Sequence, residues 1–285
     1  MKVPYRYPPL VPRWISIRNA LKMVQNPIPI LQENVRNYGK TYTFHIGGVQ
    51  KGIVSIEPAF IQHVLQKNHR NYRKSNMQTH VLARYVGHGL LTSDGAYWLR
   101  QRRLIQPAFH RDRLEQIVRI MYEEIDAYFR EHWTETARYD IYREMHTLAF
   151  RIVARALFSA NISDEILRAL SRQITEIQHF VTRRIRQPYL HAWFQVSGKM
   201  KRHDQLAEAS RQILLQIIRE RKQRGPGTDD LLDLLLSSRY EDTGEPMDEH
   251  QVLDESLILF VAGHETSANA LTWTLYLLTQ HPEYL

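Results

Sequence analysis

LILFVAGHETSANALTWTLYLLTQHPEYL, residues 257–285, is apolar on most faces of a helix until His281-Pro282 ends the pattern. Upstream of it, Pro246 and Asp248 mark a helix start, with Asp248 and Gln251 at the spacing of a capping box. Apolar residues run from Val252 to Leu278. At about 1.5 Å per residue that is on the order of 45 Å, enough to cross a whole domain. A surface helix carries one apolar stripe, whereas Leu257 to Val261 are apolar in succession, which predicts a central, buried helix.

Inside this helix, Ala262-Gly263-His264-Glu265-Thr266-Ser267 places four polar side chains in a row where the pattern calls for apolar ones. Buried polar groups cost free energy unless each finds a partner. Gly263 adds about 1 kcal/mol relative to alanine in a helix interior. Several local rules fail at one place, which is where function tends to lie. A glycine lets a flat ligand approach the backbone, and a threonine hydroxyl can bond back to the preceding turn or admit water. Ala262 and Thr266, four apart, share a face. On these residues alone, a kinked core helix with a satisfied Glu–His pair is the favoured reading.

The rest of the chain is mostly helical. Strands are expected only at Tyr42–Ile46 and Gly52–Ile56, joined through GGVQK as a hairpin. After Pro58 the apolar spacing turns to i, i+3, i+4, i+7, clearest from Leu114 to Phe129 and again over 141–158, 162–185 and 206–224. Gly225-Pro226-Gly227 breaks the last of these, and residues 229–236 start another short helix. The expected fold is mainly α with a small β element near the N-terminus, in a single domain of residues 1–285 whose helical part begins at 58.

Composition narrows the chemistry. With 285 residues and 43% hydrophobic content, the chain can bury a substantial core. It has no cysteine, which removes disulfides, thiolate-bound metals and cysteine nucleophiles together. No run of about 18 apolar residues suggests a membrane span, and prolines interrupt the start where a signal peptide would be apolar, so a cytoplasmic location is expected. Lys and Arg outnumber Asp and Glu 38 to 30, with basic runs at 100–103, 183–186 and 219–224. Such runs attract acidic partners or simply face solvent; with no nucleic-acid signature beside them, nucleic acid is not expected.

A second motif lies earlier. Gly95-Ala96-Tyr97-Trp98-Leu99-Arg100-Gln101-Arg102-Arg103 leads into Gln106-Pro107-Ala108-Phe109, with Trp98 and Arg102 projecting together from one helix. Gly89-Leu90-Leu91-Thr92-Ser93-Asp94 forms the loop that enters it. Together with residues 257–285, these elements closely resemble the cytochrome P-450 superfamily of haem-thiolate monooxygenases, and the resemblance covers the chain. It implies an incomplete cytochrome P-450 fold around a long central helix. Thr266 and Glu265 are then the catalytic pair that steadies dioxygen and delivers protons, with Ala262 and Gly263 leaving room beside the haem. Trp98 and Arg102 would meet the haem propionates, where a guanidinium fork suits a carboxylate. Leu90 would touch haem, and Leu91, Phe260 and Ala262 the substrate. Ser267 stands where many members carry a second threonine.

The resemblance also implies an apolar organic substrate, dioxygen, and electrons from a separate acidic ferredoxin, flavodoxin or reductase docking near Arg100 and Arg103. The family's Glu-x-x-Arg helix and cysteine loop have no counterpart in these residues, and none of the 14 histidines is placed as an iron ligand by a motif. The chain is therefore expected to be an N-terminal fragment that cannot turn over alone. Two other readings stand beside that one: a non-catalytic binding or scaffold protein on the same fold, and one half of a split enzyme completed by a C-terminal chain.

Overall fold

The computed structural model describes residues 7–134, 137–158, 162–225 and 230–285. Short helices α1 (Arg13–Arg18), α2 (Ala20–Gln25) and α3 (Ile28–Tyr38) precede the hairpin β1 (Thr41–Ile46) and β2 (Gln50–Ser55). Then follow α4 (Pro58–Gln62), α5 (Ala83–Val86), α6 (Gly95–Ile105), α7 (Arg111–His132), α8 (Ile141–Phe158) and α9 (Asp164–Arg186). The chain closes with α10 (His191–Val196), α11 (Lys199–Arg224), α12 (Leu231–Ser237) and α13 (Glu249–Gln280). This is the mainly helical architecture with one small sheet that the sequence predicts. It resolves into two compact units, residues 1–77 with 176–204 and residues 78–175 with 205–285, the division falling within α9 and α11.

In the first unit β1 and β2 pair antiparallel, from Thr41 opposite Ser55 to Ile46 opposite Gln50. The second strand starts two residues earlier than expected. Only Gly47, Gly48 and Val49 are needed for the turn, because both glycines adopt positive φ, so Gln50 and Lys51 join the ladder. Farther along this unit, Phe194 is fully buried and meets Phe180 edge-on at 5.4 Å.

The second unit is organised by α8 and α13. The two helices make the most extensive contact in the chain. Phe260 is fully buried, with its ring 4.5 Å from Phe150 and 6.2 Å from Phe158. One turn on, His264 meets His146 at 4.7 Å. Between these rings the helices approach so closely that a Cβ on Gly263 would lie 2.9 Å from Cγ2 of Val153. On another face of α8, Met145, Leu148 and Ile152 pack with Tyr128 of α7. Glu124 of α7 ties the pair together by accepting from Arg151 at 2.6 Å and Arg155 at 3.1 Å. At the C-terminal end of α8, Arg221 of α11 donates to the Phe158 carbonyl and to the carboxylates of Asp230 and Asp233 at the start of α12. Gly225, at φ +82°, closes α11 as the glycine break predicts; Pro226, Gly227 and Asp229 lie outside the described residues.

The expectation of a wholly buried α13 needs correction. Its first half is buried almost continuously from Gln251 to Phe260, but beyond Ala268 it turns apolar groups outward, with Trp273 63% and Tyr276 52% exposed. Among the described residues, Leu275 packs one side of the second half against the α7–α8 cluster. The capping box is also half made. Asp248 accepts from the Gln251 N–H at 2.8 Å, but the Gln251 side chain donates to Glu255.

The close approach at Gly263 makes a prediction. Gly263→Val should lower the urea midpoint by the equivalent of about 1–3 kcal/mol, the usual cost of overpacking. Val153→Ala in the same chain should recover part of it, since the two positions are in contact. A Gly263→Val chain as stable as its parent would show that the helices can part at little cost.

Candidate functional site

The start of α13 is held by a buried polar network. Glu255 is fully buried yet has partners on both sides, accepting from the Leu90 N–H at 2.9 Å and from Gln251 at 2.9 Å. Asp254 accepts from the His88 N–H at 2.7 Å and from Arg211 of α11 at 2.6 Å. Gly87 and Gly89 are needed here, because a Cβ on either would fall within 2.7 Å of these carboxylates. Thr92 and Ser93 bond back to Gly87 and Gly89, closing the loop on itself. Tyr97 of α6 donates to Gln251, and the phenol is pushed up to about 12, chiefly by burial, then by Tyr240 and the carboxylates of Glu255, Asp254 and Asp248. The loop carrying Leu90 and Leu91 is thus moored to the first two turns of α13. That mooring lies about 16–22 Å along the helix from Thr266, at about 1.5 Å per residue.

Further along, residues 262–267 do not form a buried polar cluster. Ala262 and Thr266 face outward together, Gly263 and Glu265 are half-buried, and Ser267 is exposed. The Thr266 hydroxyl donates to the Ala262 carbonyl at 2.8 Å, and Ser267 repeats this bond with Gly263. Such back-bonds satisfy hydroxyls within a helix. Only His264 is fully buried, facing α8 and away from Ala262 and Thr266. Its Nδ1 lies 3.2 Å from the Phe260 carbonyl, while Nε2 is buried without a partner. Burial first, and the His146 ring second, lower its pKa to about 4.

Phe260, expected to touch substrate, has its ring packed within the chain. It is fully buried between Phe150 and Phe158 in the α8–α13 seam, two residues and therefore more than half a helical turn from Ala262. Gly263 likewise has a packing reason for its missing side chain, in Val153. The Trp98–Arg102 pair does project together: the guanidinium lies over the indole at 5.3 Å, with Trp98 half-buried and Arg102 exposed. Arg100 is engaged within the chain, stacked on Tyr240 at 3.8 Å and paired to Asp242 at 3.1 Å, whereas Arg103 is exposed. Asp254 and Glu255 were missed in the sequence. The signal was present, as two adjacent acids inside an apolar run must find partners.

At Ala262–Thr266, α13 has one face packed against α8 and small side chains on the other, and α6 separately carries the Trp98–Arg102 pair. Comparison with known proteins gives the chain a family. The family model "Cytochrome P450" matches residues 8–285. Cyclooctatin synthase of Streptomyces melanosporofaciens is 30% identical over 93% of this chain and 57% of its own length. Pentalenene oxygenase of Streptomyces avermitilis is 28% identical over 94% and 58%. In structure, a retinoic acid-bound cyanobacterial CYP120A1 matches 98% of this chain and 62% of its own, with a TM-score of 0.77 at 20% identity. The chain belongs to the cytochrome P450 family and spans a little over half the length of these two relatives.

Members of this family bind haem. The residues present fit one face and one edge of it. Ala262 and Thr266 offer a surface on which no side chain is larger than threonine, and Arg102 has its guanidinium over Trp98 with no carboxylate partner among the described residues. They do not supply the thiolate, since the chain has no cysteine. Nor do the described residues contain a cluster of three His, Asp or Glu able to hold a metal ion. Among the described residues, no helix is long and apolar enough to cross a membrane.

Two measurements probe these groups. Glu255→Ala removes the carboxylate that accepts from the half-buried Leu90 N–H, at a cost of about 1–3 kcal/mol, and limited proteolysis between His88 and Asp94 should become faster than in the parent. His264 is neutral in the folded chain down to about pH 4, whereas the unfolded chain takes up its proton near pH 6.5. Stability should therefore fall as pH drops from about 6.5 to 4, by up to about 3 kcal/mol, and His264→Gln should flatten that part of the urea-midpoint profile.

Proposed function

We propose that this chain forms the dioxygen-facing side and the propionate edge of the haem pocket of a monooxygenase acting on an apolar organic substrate. The observation that carries this reading is the two-sidedness of α13 at residues 260–266. Phe260 and His264 lock one face into α8, which leaves Ala262 and Thr266 fixed on the other. Haem, when bound, supplies the chemistry that activates dioxygen. The chain's own residues do the rest. The small side chain of Ala262 leaves space for substrate beside the helix. Thr266 holds its hydroxyl on the Ala262 carbonyl and can turn it outward to donate a proton. Glu265, one residue before, is the half-buried carboxylate that can replace that proton.

Arg102, steadied by Trp98, takes a propionate through its planar fork of donors. Leu90 and Leu91 form the apolar wall that the Glu255 and Asp254 bonds hold in place, Leu90 towards haem and Leu91 towards substrate. The names of the relatives, pentalenene oxygenase and a cyclooctat-9-en-7-ol monooxygenase, support a substrate of similar apolar, cyclic character. Electrons come from a separate acidic protein. Arg103 is a better docking residue for it than Arg100, whose charge Asp242 already engages.

The test joins this chain, after Leu285, to the remaining C-terminal part of cyclooctatin synthase and supplies haem, a ferredoxin and its reductase. The expected result is a carbon monoxide spectrum of the thiolate type, which the chain alone with haemin should not give, having no cysteine. Thr266→Ala should then lower product formed per electron consumed by about tenfold or more, as loss of a proton-relay group does. A haem-loaded chimera in which Thr266→Ala turns over as the parent does would refute the assignment.

A further inference from the structure

Away from α13, a cavity of about 420 Å³ opens in the second unit among the end of α7, α8 and the first turns of α9. On α8, Arg143, Thr147 and Arg151 follow one another at intervals of four and share a face. Opposite them, α9 presents Arg168, Ser171 and Arg172. Leu167 and Phe150 complete an apolar floor. Two helices that meet through charged stripes ordinarily set arginine against glutamate, and like charges four apart on one helix repel. Here arginine faces arginine, and no Asp or Glu lines the cavity among the described residues.

The neighbouring acids relieve this only in part. Glu124 and Glu131 both reach Arg151. Arg143 and Arg172 carry exposed guanidinium groups with no ion pair among the described residues. Another basic groove in the same unit, lined by Arg100, Arg103 and Arg239, differs in having Glu241 and Asp242 in its own wall. With Arg151 and Arg168 both engaged within the chain, Arg143 and Arg172 are the arginines of this cavity whose charge an anion from solution would balance. Planar guanidinium groups from two sides suit a tetrahedral phosphate, which accepts paired N–H bonds, and the Ser171 hydroxyl adds a neutral donor. Its volume exceeds what a bare phosphate fills, and the Leu167–Phe150 floor suits an organic group.

We propose that this cavity is a binding site for a small organic phosphate, separate from the face of α13. Isothermal titration of the full chain with hexyl phosphate in low-chloride buffer should show saturable binding at one site, tighter than for inorganic phosphate. The double variant Arg143→Gln/Arg172→Gln should bind about tenfold more weakly or worse, since charge-assisted bonds are among the stronger ones. Arg70→Gln/Arg73→Gln removes the same two charges from exposed positions in the other unit and should bind as the parent does. Should the first double variant fail to fold by circular dichroism, Arg172→Gln alone, at an exposed position, takes its place. Absence of saturable binding, or equal weakening in the two double variants, would overturn the proposal. Inorganic phosphate binding as tightly as hexyl phosphate would overturn the organic part of the ligand.

Discussion

The contact between Phe150 and Phe260, ring edge to ring face at 4.5 Å, is the constraint on which the second unit depends. It lies where α8 and α13 come close enough that residue 263 can carry no side chain without displacing Val153. Aromatic pairs of this geometry contribute about 0.5–1.5 kcal/mol beyond the area they bury. Their larger effect is directional. With Phe260 and His264 turned into α8, helical spacing turns Ala262 and Thr266 to the opposite side. The orientation of the candidate site is therefore a consequence of core packing.

The price of that packing is a buried imidazole. His264 has one nitrogen near the Phe260 carbonyl and the other without a partner, beside a second histidine ring. A leucine there would avoid the desolvation, but a flat ring of intermediate size fills the space between His146 and Phe150 edge-on. The carboxylates of Asp254 and Glu255 show the other solution to burying polar groups, in which each charge is met by backbone N–H groups and side-chain donors. That network ties the loop around Leu90 to the first turns of α13.

Much of the fold was legible in the sequence. The spacing of apolar residues placed α8 at its observed ends, and the start of α13 was readable from Asp248, because capping and periodicity are local properties of the chain. The β2 boundary was misjudged by two residues, since the number of residues a turn consumes depends on which of them reach positive φ. The extent of burial along α13 was misjudged for a different reason. Apolar character says that a surface is suited to burial, not that this chain covers it, and beyond Ala268 much of it is not covered by the described residues.

At the candidate site the division is similar. The residue types of Ala262–Ser267 and of Trp98 with Arg102, read in order along one chain, carried the resemblance to the cytochrome P450 family, which the family model over residues 8–285 bears out. Which way each one points was decided by tertiary structure alone. Phe260 and Ala262 stand two apart in the sequence, equally able to line a cavity, yet the pairing with Phe150 and Phe158 commits Phe260 to the core. The facing arginine stripes of α8 and α9 were equally invisible, as each on its own helix reads as a solvated face. Sequence determines what a residue can do through its local chemistry and periodicity; only the packing of one helix against another determines what it meets.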